Sequence, residues 1–241
     1  MASETSAAEI VAESDGPLES PPDPSVEPSY GAYYYAHDCG IPYERNEHWL
    51  GFFDEVARGL IRELRPQSTL DAGCAFGMLV EALRNHGVDA SGIDLSSYAI
   101  SQAPPELAPH LRVGTLTDPL PGRYDLITCV EVIEHLDPAD AARALDNLTA
   151  ATDRLLLCST PTDYAEPTHV YVRQPEEWAA DLAKRGFVRD LSFDGSFLTP
   201  WTLLFVRSTL SPVDVVRTYE REHWRMKHEV GEVREAIIAL H

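Results

Sequence analysis

Short apolar runs alternate with amphipathic stretches through the middle of the chain, and their lengths are those of buried strands. The stretches between them carry apolar residues three and four positions apart, which predicts helices. Strands that alternate with helices predict an α/β fold with a mostly parallel sheet buried on both faces. The expected strands lie at 68–70, 88–94, 110–114, 124–130, 154–158, 187–193 and 203–206.

The N-terminal part of the chain differs in character from this alternating middle. Residues 1–28 are rich in Ala, Ser, Glu and Pro and contain no Lys or Arg, which predicts a disordered acidic tail. Residues 29–66 are expected to form a cap, with a tyrosine-rich segment at 30–43 and a helix at 48–64. The tyrosines fit either a strap packed on the domain surface or a lid over a substrate site. The sheet-containing domain is expected at 67–210.

The C-terminal stretch, 211–241, is expected to be one helix with a heptad repeat of apolar positions. Such a helix either packs on its own domain or makes a coiled-coil contact with another chain, which would give a homodimer. Gly231 and the histidine at one core position weaken the coiled-coil pattern. The repeat consists of Val216, Tyr219, His223, Met226, Val230, Val233, Ile237 and Leu240.

Composition and charge argue against several classes of partner. The chain has 241 residues, 44% of them hydrophobic, which suffices for one sizeable domain with extensions. A net charge of −20 without a basic cluster disfavours nucleic acid and anionic membranes. No apolar run approaches the roughly 20 residues of a spanning helix, and no secretory signal pattern is present. The four cysteines form no C-x-x-C pair, so we expect reduced thiols in a cytoplasmic protein.

Glycines and acids surround the turn that follows the first predicted strand. The pattern is Asp71-x-Gly-x-x-x-Gly77, and Asp94 ends the second predicted strand. Glycines let a ligand approach the backbone, a helix start offers free N–H groups, and the strand-end acid can bind a ribose diol. Position 75 is Ala, so the G-x-G-x-x-G pattern of a pyrophosphate site is absent. The glycines alone also fit an ordinary turn; Asp94 and the stretch at 124–136 favour a cofactor.

Two motifs resemble those of the class I S-adenosylmethionine (SAM) methyltransferases. The turn at 71–77 resembles their motif I, and the stretch Tyr124-Asp-Leu-Ile-Thr-Cys-Val-Glu-Val-Ile-Glu-His-Leu136 resembles the strand-four motif of their small-molecule O-methyltransferases. The resemblance spans about 67–207. It implies a Rossmann-like, seven-stranded, mostly parallel sheet flanked by helices, with an N-terminal cap segment and a C-terminal helix. It also implies SAM as the cofactor.

The resemblance assigns cofactor contacts residue by residue. Asp71, Gly73 and Gly77 would face the methionine part of SAM, Asp94 the ribose hydroxyls, and Leu95 the adenine. Many family members have an acid where this chain has Thr115, so the adenine amine is expected to rely on Asp118 or on backbone oxygens. The full expected set is Asp71, Gly73, Cys74, Gly77, Asp94, Leu95, Thr115, Leu116 and Val130.

A cluster of acids and histidines is expected beside this cofactor site. Glu131, Glu134 and His135 stand at i, i+3 and i+4, so they would share one face of a helical turn. The loop at 159–169, after the neighbouring fifth strand, can bring His169 close to them. The set suits a divalent cation such as Mg²⁺ or Mn²⁺, and it resembles an arrangement found in small-RNA 2′-O-methyltransferases. Catalysis is assigned to His135, His169 and Glu131, either with this metal or with a plain histidine base.

The expected function is therefore SAM-dependent transfer of a methyl group to a hydroxyl of a small molecule. The segment at 30–43, residues 42–45 and the loop at 168–169 resemble methyltransferases found with bacterial glycosyl-transfer and natural-product genes. This resemblance implies a sugar or glycosylated natural product as the acceptor. N- or C-methylation of a small metabolite, and a non-catalytic SAM-binding module, are the alternatives.

Overall fold

A seven-stranded sheet organises residues 30–239, the part of the chain that the computed structural model describes. The predicted acidic tail at 1–28 lies outside the described residues. The strands are β1 (Ser68–Ala72), β2 (Asp89–Asp94), β3 (Leu111–Val113), β4 (Leu126–Val130), β5 (Arg154–Cys158), β6 (Phe187–Arg189) and β7 (Leu203–Arg207). The helices are α1 (Ala32–His37), α2 (Glu47–Leu64), α3 (Met78–Asn85), α4 (Ser97–Ser101), α5 (Pro138–Ala151), α6 (Pro175–Ala183) and α7 (Pro212–Ala239).

The strand order is β3-β2-β1-β4-β5-β7-β6, and the order reverses direction between β1 and β4. The pairs from β3 to β5 are parallel, whereas β7 runs antiparallel to both β5 and β6. The prediction of a mostly parallel sheet in an α/β fold is confirmed. A reversal of this kind opens a crevice at the carboxyl ends of the two central strands, where α/β proteins bind ligands.

Helices cover both faces of the sheet because consecutive strand residues are apolar. In β4, Ile127 packs with α5 and α6 on one face, while Leu126 packs with α2 and α3 on the other. Both side chains are fully buried. Asn46 caps α2 by accepting a hydrogen bond from the Trp49 N–H, which fixes where the cap helix begins.

One expected strand is shorter in the structure, whereas the C-terminal helix forms as one element. The strand expected at 187–193 stops at Arg189, because the Asp190 side chain then accepts bonds from Ser192 and turns the chain. The C-terminal helix is a single 28-residue element, and no residue of its described length is buried against the domain. Within residues 30–239, no helix combines the length and apolarity needed to cross a membrane. The four cysteines are free thiols.

Candidate functional site

A cavity of about 660 Å³ opens at the carboxyl ends of β1, β2 and β4. Two groups of residues in its lining carry the chemistry. The motif group consists of Asp71, Gly73, Cys74, Asp94, Leu95, Thr115, Leu116 and Val130. The tyrosine–histidine group consists of Tyr30, Tyr34, His135, Glu166 and His169.

The β1 turn needs its first glycine for two reasons. Gly73 has φ +88°, and a Cβ there would lie 2.2 Å from Cγ2 of Val132. The N–H groups of Gly73 and Cys74 both donate to the Ile93 carbonyl, which ties the turn to β2. Gly77 differs from the expectation: it lies outside the cavity lining, and a Cβ there would collide with Leu111. Its glycine is explained by close packing at the start of α3.

Asp94 connects the turns that follow β1 and β2. Its Oδ2 accepts from Ala75 N at 2.8 Å, and its Oδ1 accepts from Ser96 N at 2.8 Å. Each carboxylate oxygen keeps a second lone pair for a ligand hydroxyl. The Ser96 hydroxyl donates to the Tyr30 carbonyl, so the N-terminal segment is joined to the same turn.

Asp71 is the most deeply buried acid of the motif group. The Thr128 hydroxyl donates to its Oδ1 at 2.7 Å. Burial raises the pKa of Asp71 to about 7, Asp94 adds to the rise, and the Thr128 hydrogen bond opposes it. The carboxyl group therefore changes charge near neutral pH.

Apolar side chains line most of the end of the cavity where the adenine of SAM is expected. Leu95 is 59% exposed at the cavity rim, whereas Leu116 is buried. The Thr115 hydroxyl bonds to that of Thr117 at 2.8 Å. Asp118 is exposed and is not among the lining residues, which leaves backbone oxygens as the expected partners of an adenine amine.

His135 lies in the 3₁₀ turn Ile133–His135 and has a defined tautomer. Its Nδ1 lies 3.2 Å from the Thr168 carbonyl and 2.9 Å from the Thr168 hydroxyl. A carbonyl oxygen can only accept, so Nδ1 carries the proton and Nε2 keeps a free lone pair. Burial lowers the pKa of His135 to about 4, and the neighbouring His169 adds to this. The imidazole is therefore neutral at physiological pH.

Tyrosine rings and a second histidine surround His135. The rings of Tyr30 and Tyr34 approach it edge-on, with centroids 5.8 and 6.3 Å away. The ring of His169 lies 4.6 Å away, as the loop at 159–169 was expected to allow. His169 donates from Nδ1 to the Asp163 carbonyl at 2.8 Å, and its Nε2 lies 2.5 Å from Glu166.

Glu131 differs from its expected place on a shared helical face. It has φ +50°, in the left-handed region, and the helical turn begins only at Ile133. Its carboxylate accepts from Thr160 N at 3.0 Å, Trp201 Nε1 at 2.8 Å and Cys158 Sγ at 3.0 Å. Burial disfavours the charged form, but the neighbouring Glu134 carboxyl and these three hydrogen bonds outweigh it and lower the pKa of Glu131. The carboxylate is thus held as a structural anion between β4 and β5.

Glu134 joins His135 and His169 in a group whose ligand atoms lie within 4.8 Å of one another. Glu131 does not belong to this group, because its oxygens face the donors named above. Glu134 is fully buried, and neither carboxylate oxygen has a hydrogen-bond partner among residues 30–239. Burial, together with the nearby Glu131, raises the pKa of Glu134 to about 9. A buried acid without partners beside two imidazoles is a site that a cation would stabilise.

A family model described as a methyltransferase domain matches residues 45–226, about three quarters of the chain. The chain belongs to this methyltransferase family. The predicted class I SAM methyltransferase family, the Rossmann-like fold and SAM as the cofactor are therefore supported together.

Curated relatives of this methyltransferase include two proteins named ubiquinone biosynthesis O-methyltransferase. That of Albidiferax ferrireducens is 35% identical over 92 residues, covering 34% of this chain and 36% of the relative. That of Methylococcus capsulatus is 37% identical over 98 residues, covering 35% of this chain and 40% of the relative. The match thus spans about two fifths of the length of these relatives.

Solved structures share the fold of the methyltransferase at low sequence identity. Magnesium protoporphyrin IX methyltransferase from Synechocystis PCC 6803, with bound SAH, is 22% identical with a TM-score of 0.53, over 66% of this chain and 84% of that one. The sugar N-methyltransferase KedS8 from Streptoalloteichus sp ATCC 53650 is 20% identical with a TM-score of 0.52, and the match covers 66% of this chain and 87% of that one.

Two residues at the methyltransferase site, Glu166 and Trp201, were not selected by the sequence analysis. Glu166 bonds the Thr168 hydroxyl and His169. Trp201 reaches Glu131 from the loop before β7, 70 positions along the chain. Such a contact is set by how the loops meet, and no local pattern encodes it.

Proposed function

We propose that the protein is a SAM-dependent O-methyltransferase that acts on a hydroxyl of a small molecule, a sugar or glycosylated natural product. One observation carries the proposal: a single cavity is lined by both the motif group and the tyrosine–histidine group. Cofactor contacts and a neutral imidazole therefore border the same space. The relatives named O-methyltransferases support methylation at oxygen.

The motif group fits SAM on the geometry of its own residues. Gly73 leaves space in the β1 turn that a side chain would fill, and Asp94 has lone pairs available for the ribose hydroxyls. Asp71 is placed to meet the positively charged methionine part, and its pKa near 7 allows the ionised form. When bound, SAM supplies the methyl group as an electrophile.

The chain's own residues then have to align a hydroxyl and accept its proton. His135 is suited to this because it is neutral and its Nε2 lone pair is free. The Thr168 carbonyl and hydroxyl hold the ring in that tautomer through Nδ1, and Thr168 in turn bonds Glu166. The rings of Tyr30 and Tyr34 contact the imidazole edge-on and cover part of it.

The charge of the cavity supports an acceptor that is neutral or cationic. Within residues 30–239 its lining contains no Lys or Arg, so a phosphate or carboxylate on the acceptor would find no permanent cation. The lining instead holds acids outside the motif group, whose field favours positive charge. These acids are Asp38, Glu131, Asp137, Asp140, Asp163 and Glu166.

Glu134, His135 and His169 are the residues that would hold a divalent metal, Mg²⁺ or Mn²⁺. Their fit rests on the unpartnered, buried carboxylate of Glu134 and on the free Nε2 of His135. His169 would have to give up its contact with Glu166. A metal would lower the pKa of an acceptor hydroxyl. A metal on Nε2 of His135 would occupy the lone pair that otherwise accepts the proton, so His135 is the base only when no metal is bound.

Methyl transfer from labelled SAM tests the proposed function directly. The acceptor panel should contain neutral glycosides, amino-sugar glycosides, simple phenols and sugar phosphates, with the product analysed by mass spectrometry and NMR. We expect an O-methyl ether from a neutral or amino-sugar acceptor and no product from the phosphates. Methylation at nitrogen or carbon would contradict O-methylation. SAM binding without transfer to any acceptor would favour a non-catalytic binding module.

Cofactor affinity is expected to fall as the pH is lowered from 8 to 6. The pKa of Asp71 is about 7, so its ionised fraction drops to about one tenth at pH 6. A ligand ammonium group prefers the ionised form, and the loss in affinity approaches tenfold. Calorimetry with S-adenosylhomocysteine measures this, and Asp71→Asn should bind weakly at all pH values with a flatter profile. An unchanged slope in Asp71→Asn would assign the titration to another group.

Tyr34→Ala is expected to reduce kcat/KM for the acceptor by about tenfold, the worth of one aromatic contact. Cofactor affinity should stay within a factor of about two, since Tyr34 belongs to the tyrosine–histidine group rather than the motif group. Tyr164→Ala is the matched control, because Tyr164 is 70% exposed and lies outside the cavity lining. Equal losses of acceptor turnover and thermal stability in Tyr34→Ala would make the segment at 30–43 a structural strap.

A further inference from the structure

The C-terminal helix α7 presents a continuous apolar row to solvent. None of its 28 residues is buried, and Val216, Val230 and Val233 are 59, 68 and 60% exposed. We call the row the heptad seam, and its described members are Val216, Tyr219, His223, Met226, Val230, Val233 and Ile237. At a rise of about 1.5 Å per residue, the helix extends about 42 Å.

Contacts within the helix do not account for this row. Arg225 bonds Glu222 and Glu229, each at 2.7 Å, and Arg217 lies 3.4 Å from Asp214. Exposed pairs of this kind contribute little to stability. They lie beside the seam and leave its apolar side chains in water. A monomeric soluble protein rarely exposes such a continuous row of apolar side chains to solvent.

The heptad positions of the seam favour two strands. Counting Val216 as an a position places β-branched residues at three of the four a positions. Those residues are Val216, Val230 and Ile237, with His223 as the exception. β-branched residues at a favour two strands most strongly when Leu occupies d. The described d positions hold Tyr219, Met226 and Val233, so the preference for two strands rests on the a positions.

The charges beside the seam indicate the partner and its direction. Glu222 and Glu229 occupy g positions, and Lys227 and Arg234 occupy the e positions five residues later. In a parallel pair, g of one helix meets e of the next heptad in the other, so Glu222 meets Lys227 and Glu229 meets Arg234. Both pairs occur twice by symmetry. An antiparallel pair would set g against g, which removes Glu222 and Glu229 from Lys227 and Arg234 and leaves them facing other g residues.

The two cations are available for this contact. Lys227 and Arg234 make no salt bridge among residues 30–239. We propose that α7 pairs with α7 of a second copy of this chain as a parallel, in-register, two-stranded coiled coil. The dimer rests on the seam alone and is independent of the proposed methyl transfer.

The molecular mass of the full chain tests the pairing. Sedimentation equilibrium over a concentration series should give twice the chain mass of 26.7 kDa. Val230→Glu places a charge in the seam and should convert the protein to a monomer. Trp224→Glu is the matched control: Trp224 is 70% exposed on the same helix but at a b position outside the seam, so the dimer should persist. Unchanged thermal unfolding and cofactor binding in both variants show that the domain is intact.

Charge reversal tests the pairs beside the seam. Glu222→Lys combined with Glu229→Lys should weaken dimerisation by about tenfold or more, because four attractive pairs become repulsive. Adding Lys227→Glu and Arg234→Glu to the same chain should restore it. Val233→Cys, at a d position, should form a disulfide-linked dimer under mild oxidation, and Trp224→Cys should not.

Three results would overturn the parallel dimer. One is a monomer at every concentration, which would leave the seam without a second copy. Another is a dimer that Val230→Glu does not disturb. The third is a dimer in which Val233→Cys fails to cross-link to itself, because in an antiparallel pair the two copies of residue 233 are far apart.

Discussion

His135→Ala is expected to lower kcat by about 10²- to 10⁴-fold, the usual contribution of a positioned proton acceptor. This corresponds to about 3–5 kcal/mol of transition-state stabilisation. The reason lies in the geometry: Thr168 fixes the proton on Nδ1, so Nε2 is the unprotonated, basic atom of a half-buried, neutral ring beside the cofactor motif. S-adenosylhomocysteine affinity should hardly change, because His135 is not part of the motif group.

Single-turnover kinetics with labelled SAM separate this loss from an effect on binding. His110→Ala serves as the control, since His110 lies in the 3₁₀ turn before β3 and outside the cavity lining. If His135→Ala kept wild-type kcat, proton removal would have to be assigned to another group, with His169 the nearest. If it lost cofactor binding in proportion to activity, His135 would be acting on the fold of the cavity.

The burial of His135 also gives a stability signature with a definite sign. The pKa of the ring is about 4 in the native state, against about 6.5 in an unfolded chain. Between these values the unfolded chain binds a proton that the native protein does not. The free energy of unfolding should therefore decrease as the pH falls from about 6.5 to 4, and this part of the decrease should disappear in His135→Ala.

The fold could be predicted from the sequence because its signals are local and repeated. Leu126 and Ile127, or Leu155 and Leu156, are consecutive apolar residues that must face opposite layers. That pattern suffices for a sheet covered on both sides. The β1 turn was equally readable, since Gly73 has to adopt φ +88° in close contact with Val132.

The candidate site was less predictable where one backbone angle decides the outcome. Spacing placed Glu131 on the same face as Glu134 and His135, but this holds only if helix begins at Glu131. The left-handed conformation at Glu131 turns its carboxylate towards Trp201 and Thr160 instead. A left-handed non-glycine residue leaves no mark in the sequence.

Contacts between loops were the other gap. The sequence pointed to His169 as a partner of His135, yet gave no reason to select Glu166, which holds His169 and Thr168 together. Whether Thr115 or Asp118 serves the adenine end also depends on loop direction, and only Thr115 lines the cavity. These arrangements arise from packing between distant segments rather than from local periodicity.

Glu131 and Glu134 were both expected to bind a metal, but their surroundings in the structure differ. Glu131 has three donors on its carboxylate and a lowered pKa, so it is charged and satisfied. Glu134 has no hydrogen-bond partner within the described part of the chain and a raised pKa, so without a cation it is protonated at neutral pH. A cation bound at Glu134 would therefore have to displace a proton.

Glu134→Gln is expected to weaken Mn²⁺ binding by more than about 100-fold. Loss of a residue that only hydrogen-bonds to a metal ligand typically costs roughly 10–100-fold in affinity. The amide keeps the size of the side chain but cannot become an anion. Electron paramagnetic resonance of free Mn²⁺ measures the affinity without any turnover. Asp38→Asn is the control, because Asp38 lines the cavity that His135 and His169 line but is not one of the three clustered residues.

The pH dependence of Mn²⁺ binding gives the sharpest form of this prediction. The pKa of Glu134 is about 9 without a metal, so each ion bound below that pH releases one proton, and affinity should rise with pH up to about 9. His135 adds no competing proton in this range because its pKa is about 4.

EDTA should abolish methyl transfer with the cofactor still bound, and Mg²⁺ or Mn²⁺ should restore it. Full activity after chelation, with no Mn²⁺ bound at any pH, would leave His135 as the base without a metal. The raised pKa of Glu134 would then be only the consequence of burying an acid beside Glu131.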